Sequence, residues 1–164
     1  MALNTRKGYT LAEAMIAIAI VGGLSAVAAP LLTRVTNFWR QTMARNTIER
    51  DVRSSLDIIN RFTRQAVASS VVIDQPNGQP PCSRLTFAMI QGNTVSFYQS
   101  GNKLYMTDGS TRSLLSSNIA YIAFTYPRSD DITLISVAIT TQASTYLGGR
   151  KALQLSIQKV RIMN

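Results

Sequence analysis

An acidic residue stands directly before a long apolar run near the start of this chain. Glu13 is followed by a segment, 14–33, that holds no charged residue, and Arg6 and Lys7 precede it. A carboxylate costs about 2.5–3.5 kcal/mol at the centre of a membrane helix on insertion scales, and less near a helix end. Glu13 therefore requires a compensating partner. Gly8, between the basic pair and the acid, is a second residue that needs an explanation.

The remaining reactive side chains argue against catalysis. Histidine is absent and Cys82 is the single cysteine, so no Ser-His or Cys-His arrangement and no intrachain disulfide can form. A metal site would have to rely on oxygen ligands. Four aspartates fall in predicted turns, where Asp is common for local hydrogen-bonding reasons: Asp74, Asp108, Asp130 and Asp131. We expect a protein that is not an enzyme, with no catalytic residue, no metal site and no cofactor.

Length and charge restrict the class of protein further. A chain of 164 residues suits one compact domain with an appendage. Beyond residue 32 the chain is rich in Ser, Thr, Gln and Asn, which suits secreted β-structure better than a cytosolic enzyme. The net charge is +9, and arginines are frequent just after the apolar run. This excess suits anionic lipid, an acidic protein partner or nucleic acid, or else a solvated helix face with intrahelical ion pairs.

The apolar run has about the twenty residues that a transmembrane helix requires. Gly22, Gly23 and Ser25 leave room for close approach of another helix. Pro30 lacks a backbone donor and clashes with the carbonyl four residues earlier, so we expect the helix to kink or loosen over 26–30.

Three interpretations of this segment are open. A secretory signal peptide would use Ala26-Val27-Ala28 as its cleavage site, but Glu13 interrupts the start of its apolar region and Pro30 suits the peptidase poorly. A plain membrane anchor, oriented by the basic pair, leaves Gly8 and Glu13 unexplained. The third interpretation uses both of these residues.

The run Lys7-Gly8-Tyr9-Thr10-Leu11-Ala12-Glu13-Ala14-Met15 resembles the type IV prepilin motif, which also heads the pseudopilins of type II secretion. The resemblance continues through Ile20-Val21-Gly22 to Pro30. It departs at Tyr9, where phenylalanine is usual, at Ala12, where a larger aliphatic residue is usual, and at Gly23, a second glycine.

The resemblance implies a maturation and an assembly. A prepilin peptidase would cut between Gly8 and Tyr9 on the cytoplasmic side, and Tyr9 would be N-methylated. Glu13 would then lie near the charged amino terminus of a neighbouring subunit, neutralising two charges that lipid disfavours separately. Pro30 would mark a loosened helix in the assembly.

The implied partners are other pilin or pseudopilin subunits, the prepilin peptidase and methyltransferase, an inner-membrane assembly platform and membrane lipid. The implied location is the bacterial inner membrane, as a single-pass protein with its C-terminal domain in the periplasm or outside, and a filament after assembly.

The resemblance and the residue pattern together predict four segments: a basic leader (1–8), a transmembrane and filament-core helix (9–32), an amphipathic stem helix (33–70) and an extracytoplasmic β-rich domain (71–164). Apolar residues in the stem recur at intervals of three and four: Ile48, Val52, Leu56, Ile59, Phe62 or Thr63, and Ala66. This stripe predicts a helix packed on a sheet and ending near Ser69-Ser70. Val35, Trp39 and Met43 are out of phase with it, so we expect them to face lipid or other subunits, or Trp39 to be an interfacial anchor.

The remainder alternates in the manner of strands. A dense cluster of turn residues, 75–81, predicts a loop, and Cys82 at its end is either a surface thiol or a small buried residue. Strands are predicted at 85–89, 94–98, 104–106, 119–126, 132–140 and 152–162, the last after a loop at Gly148-Gly149. The expected fold class is α+β and pilin-like: a long N-terminal helix, half transmembrane and half amphipathic, packed on antiparallel β-sheet.

Two further stretches resemble J-type minor pseudopilins and their pilus relatives: the helix 50–61, and Leu114-Leu115 followed by a strand that ends in Phe124-Thr125-Tyr126. The resemblance implies a structural minor subunit of a type II secretion pseudopilus or type IV pilus. The alternative is a DNA-uptake or adhesion pilin whose domain binds nucleic acid or a surface, with positive charge and aromatic residues supplying the contacts.

Overall fold

The computed structural model describes residues 8–144 and 151–163. Arg6 and Lys7 of the predicted leader and the predicted Gly148-Gly149 loop lie outside the described residues. The fold is α+β, as predicted, with one long helix followed by antiparallel strands. In chain order these are α1 (Leu11–Thr63), β1 (Val72–Asp74), β2 (Arg84–Ala88), β3 (Thr94–Ser100), β4 (Lys103–Asp108), β5 (Thr111–Ser116), β6 (Ile119–Thr125), β7 (Leu134–Ser144) and β8 (Lys151–Arg161).

The chain divides into two compact units, Met1–Arg40 and Gln41–Asn164, and α1 contributes to both. In the first unit, every described residue is exposed, including all the apolar side chains. The helix is uninterrupted through Pro30. The loosening predicted over 26–30 is therefore not present as a break in the helix.

In the second unit, one side of α1 enters the core. The buried apolar residues are those of the predicted stripe, Ile48, Val52, Leu56 and Ile59, so the amphipathic packing is confirmed. Two hydroxyl residues, Ser55 and Thr63, are buried on the same side. The sequence periodicity did not distinguish Ser55, because it tracks apolar residues alone.

The helix ends at Thr63, so the predicted end near Ser69-Ser70 is wrong. A few residues after Thr63 the backbone begins to hydrogen-bond to the first sheet. Ala66 forms an isolated β-bridge with Met89, and the Val67 N–H donates to the Ala88 carbonyl at 2.9 Å. Only a single 3-10 turn, Ala68–Ser70, follows.

The first sheet is a five-stranded antiparallel meander in the order β1-β2-β3-β4-β5. The predicted strands at 85–89, 94–98 and 104–106 correspond to β2, β3 and β4. β1 and β5 had no predicted counterpart. β5 pairs with β4 across a turn at Gly109, whose φ is +56°, a conformation that glycine adopts without steric cost.

The second sheet, β6-β7-β8, is also antiparallel. Its strands correspond to those predicted at 119–126, 132–140 and 152–162, and β7 is longer than expected because it pairs with β8 over eleven residues. The predicted antiparallel β-structure is therefore divided between two sheets.

Both sheets and the second part of α1 share one core. Its largest buried side chains are aromatic and aliphatic residues from all three layers: Phe87, Phe97, Phe124, Ile59, Leu85, Leu104, Ile122, Ile135 and Ile139. Phe62 of α1 contacts Phe97 of β3 edge to face, with the ring centroids 6.3 Å apart. The core thus fixes α1 against the sheets within this unit.

Candidate functional site

The N-terminal site comprises Gly8, Tyr9, Thr10 and Glu13. Gly8 to Thr10 precede α1 as exposed, non-helical chain, and Tyr9 is 92% exposed. A Cβ placed on Gly8 meets nothing within 4 Å, and the φ of Gly8 lies outside the left-handed region. The described structure gives no steric reason for glycine here. The Gly8–Tyr9 peptide bond is accessible to an enzyme.

Thr10 and Glu13 form a capping box at the start of α1. The Thr10 N–H donates to Glu13 Oε2 at 2.9 Å, and the Glu13 N–H donates to Thr10 Oγ1 at 3.3 Å. The Thr10 hydroxyl adds a hydrogen bond to Glu13 Oε2 at 3.1 Å. Reciprocal bonds of this kind satisfy donors that a helix N-terminus leaves without partners. A carboxylate in the first turn also interacts favourably with the helix dipole.

Thr10 therefore gives the Glu13 carboxylate a hydrogen-bond partner within its own chain. Thr10 supplies two hydrogen bonds to the carboxylate, although it supplies no opposite charge. The sequence signal was present, since Thr-x-x-Glu before an apolar run is the capping-box pattern. The prepilin resemblance drew attention to a partner in another subunit, and the Thr10 contact was missed.

The apolar part of α1 is long and apolar enough to cross a membrane, with a mean hydropathy of 2.3 over its best window and no residue of that window buried. A signal sequence passes the same test of length and composition. Gly22 and Gly23 lie within this part, and a Cβ on either would meet nothing within 4 Å. Each glycine costs roughly 1 kcal/mol relative to alanine in a helix interior, and no packing in the described chain offsets that cost.

Pro30 lies seventeen residues after Glu13, about 25 Å further along the helix at 1.5 Å per residue, so the structure does not bring these two predicted assembly residues together. Pro30 lines a shallow groove on the helix with Ala26, Val27, Leu31 and Arg34. One turn later, the Thr33 hydroxyl donates to the Ala29 carbonyl at 3.0 Å.

A second feature, not found from the sequence, lies on the first sheet. The Tyr98 and Tyr105 rings stack with centroids 5.8 Å apart, and the Arg112 guanidinium lies 3.6 Å from the Tyr105 centroid. Stacked arginine is held in place by cation–π attraction. The alternation within β3 and β4 was visible in the sequence, but the register that aligns these strands was not.

The turn aspartates make local contacts. Asp74 forms a bidentate ion pair with Arg84 that lowers the pKa of its carboxyl group. Asp131 accepts hydrogen bonds from the Thr133 hydroxyl and N–H, which lower its pKa. Within residues 8–144 and 151–163, no group of three or more His, Cys, Asp or Glu side chains is placed to hold a metal ion.

The second turn ion pair joins Arg128 and Asp130 at 3.1 Å.

Cys82 is a free thiol with a φ of +58°. Its side chain is half-buried, so its burial lies between the two predicted alternatives, a surface thiol and a buried residue. Its carbonyl accepts the Phe124 N–H at 2.8 Å.

Comparison of this chain with protein-family models, with curated proteins and with solved structures finds no match.

Proposed function

We propose that this protein is a structural subunit of a type IV pilus or type II secretion pseudopilus, most similar to a minor subunit. It is inserted in the inner membrane as a single-pass precursor, cleaved between Gly8 and Tyr9, N-methylated at Tyr9 and assembled through the apolar part of α1. The proposed role is structural and not catalytic.

One observation carries this proposal: the prepilin-like residues coincide with features that the isolated chain does not explain. A Cβ at Gly8 would meet nothing within 4 Å in the described structure. The apolar residues of α1 between Glu13 and Thr33 are all exposed. A large exposed apolar surface is expected where lipid or another subunit covers it. A peptidase that requires Gly8 and a filament core that covers the helix supply both functions.

Glu13 supports the proposal in a more specific way. Cleavage before Tyr9 creates an amine next to Thr10, the residue that already holds the Glu13 carboxylate. The capping box thus positions one carboxylate oxygen for its own helix, while Glu13 Oε1 has no hydrogen-bond partner in the described structure. In an assembly, that oxygen would accept the amine of a neighbouring subunit.

The intact mass of the protein, purified from cells with the matching peptidase, tests the processing. We expect a chain that begins at Tyr9 and carries one added methyl group. A Gly8→Val variant is expected to keep residues 1–8, since a branched side chain would occupy the position that the peptidase reads. A mature chain that begins at Ala29 would instead establish a signal peptide.

The alternative function, nucleic-acid binding by a DNA-uptake or adhesion pilin, is favoured by the Tyr98, Tyr105 and Arg112 cluster and by the net charge. Phosphate contacts weaken steeply as salt rises. Salt-sensitive retardation of DNA by the full chain would support that alternative. Loss of secretion or piliation on deletion, with no retardation, would support the structural subunit.

A further inference from the structure

The two outer edges of the second sheet differ. Three N–H groups on the side of β6 that faces away from β7 are bonded by atoms from the first sheet and its loops, at 2.8–3.0 Å: Ile119 by the Asn102 carbonyl, Ile122 by Gln99 Oε1 and Phe124 by the Cys82 carbonyl. An edge strand with unpaired backbone groups is a template for another strand. β6 is therefore closed to an incoming strand.

In the described part of the chain, the other edge has no such cover. β8 pairs with β7 alone, and between residues 154 and 161 the described chain supplies no other backbone partner to it. We call the side of this segment that faces away from β7 the open edge of β8. The segment 153–158 contains no charge and no proline, the residues that usually protect an edge.

The side chains along this segment have a distinct order. Leu155 and Ile157 are 63% and 62% exposed, and Lys159 follows on the same face, because alternate residues of a strand point to the same side. Their neighbours on β7 are Thr140, Ala138 and Ser136, respectively. None of these neighbours covers an apolar side chain fully or supplies an acid to Lys159.

We propose that the open edge of β8 binds an extended segment of a different protein by strand addition. The segment that fits has apolar residues beside Leu155 and Ile157 and an acidic residue beside Lys159. Backbone hydrogen bonds supply the attachment and alternate side chains supply the specificity, as in other β-augmentation interfaces.

Charge is the reason to assign the partner to a different protein. The strand Lys151–Arg161 contains no acidic residue, so a second copy pairing β8 with β8 offers no carboxylate to Lys159. A partner strand with glutamate or aspartate there forms a cross-strand pair of opposite charge. This inference concerns the second unit and does not depend on prepilin processing.

The test uses the full chain in detergent micelles and a fluorescent nine-residue peptide. Its sequence is Thr-Val-Thr-Val-Thr-Glu-Thr-Glu-Thr. We expect saturable binding by fluorescence anisotropy. Hydrogen exchange of β8 amides should slow on binding, while that of β6 amides should not change. Replacing the two glutamates of the peptide by lysines should weaken binding about fivefold or more, since a lost pair of opposite charge contributes up to about fivefold and a lysine opposite Lys159 adds repulsion.

Two protein variants and one control locate the site. Ile157→Lys should weaken binding about fivefold or more, and Lys159→Glu should transfer the preference to the lysine peptide. Leu114→Lys, at an exposed apolar residue of β5, should leave binding unchanged. Circular dichroism and the unfolding midpoint show whether each variant is folded.

Backbone pairing is tested with two peptides that are N-methylated on alternate amides. In each peptide the methyl groups remove the N–H donors along one edge of the peptide strand. The peptide methylated on the edge that faces β8 should lose binding, and the other should keep it. Absence of saturable binding at millimolar peptide, or equal binding by both methylated peptides, would overturn the proposal. The full chain could instead form dimers that the Ile157→Lys substitution dissociates and that added peptide does not dissociate. That result would assign the open edge of β8 to a second copy of the chain.

Discussion

Glu13 has two separable properties, a hydrogen-bond acceptor for the start of α1 and a negative charge. The capping box uses the first, through Thr10. The proposed contact with a neighbouring amine uses the second. Substitution by alanine removes both properties together, so it cannot identify which of them assembly requires.

We therefore expect Glu13→Gln and Thr10→Ala to give different results. Glutamine is also a good capping-box residue, so Glu13→Gln keeps the cap and removes the charge. It should be cleaved normally but lose most incorporation into filaments. Thr10→Ala keeps the charge and weakens the helix start by about 1 kcal/mol, so it should assemble to near the normal extent.

Incorporation is measured by filament fractionation, with intact mass recording cleavage and methylation in the same samples. If Glu13→Gln assembles normally and Thr10→Ala does not, the helix cap is the essential property and the proposed pairing is wrong.

The ion pair of Asp74 and Arg84 connects β1, the edge strand of the first sheet, to its neighbour β2 at the register position where these residues are opposite. Hydrogen bonding from Arg84 lowers the pKa of Asp74. A carboxylate with a lowered folded-state pKa adds stability above its unfolded pKa, near 3.9, and loses it as pH falls through the folded value.

Arg84→Ala should therefore lower the free energy of unfolding by about 0.5 kcal/mol at pH 7, a value reduced for the partial exposure of both side chains. The difference should shrink towards zero below about pH 4. Denaturant unfolding of the full chain in micelles at both pH values measures it. Arg128→Ala, in the more exposed pair with Asp130, is the matched control and should have a smaller effect. A difference that persists unchanged at low pH would mean that Arg84 acts through packing.

Among the structural elements, those that depend on a local sequence pattern could be predicted. The buried stripe Ile48, Val52, Leu56 and Ile59 follows from 3.6 residues per turn. The capping box of Thr10 and Glu13 also follows a local sequence pattern, although it was not predicted. The residue at which α1 ends could not be predicted from the sequence. The residues after Thr63 are compatible with a helix, and the chain leaves it because Ala66 pairs with Met89, which lies far away in sequence.

Two features were not predicted for the same physical reason, which is that both depend on pairing between strands. They are the strand β5 and the cluster of Tyr98, Tyr105 and Arg112. β5 begins Thr111-Arg112-Ser113, which has no apolar alternation, and pairing with β4 is what makes it a strand. The cluster depends on cross-strand register, which stacks Tyr98 on Tyr105. Register follows from turns and core packing over the whole sheet, and a single sequence does not display it.

In the molecule as a whole, α1 carries residues in both units that lack the neighbours they would be expected to have. Gly22 and Gly23 have no packing within the described chain, which fits a helix that is completed by other subunits or by lipid. Ser55 and Thr63 are buried with side-chain oxygens that have no hydrogen-bond partner in the described structure. The same helix is thus unsatisfied in both units, by missing neighbours in the first and by unpaired polar atoms in the second.

The two sheets of the second unit are joined by one buried polar side chain, Gln99 of β3, which is 3% exposed. Its Nε2 donates to the carbonyls of Gly101 and Ala120 at 2.9 and 3.3 Å. Its Oε1 accepts the Ile122 N–H of β6 at 3.0 Å. Gln99 therefore satisfies backbone groups of both sheets at the point where β6 would otherwise have an exposed edge.

We expect Gln99→Leu to destabilise the protein by about 1–3 kcal/mol, the cost of leaving a buried backbone donor or acceptor without a partner. Gln91→Leu, at an exposed loop residue, is the control and should change the free energy of unfolding by less than about 0.5 kcal/mol. Denaturant unfolding of the full chain in micelles gives both values, and hydrogen exchange should become faster in β6 before the rest of the core. If Gln99→Leu matches the parent in stability and in β6 exchange, the apolar core and the backbone hydrogen bonds of Ile119 and Phe124 hold the two sheets together without Gln99.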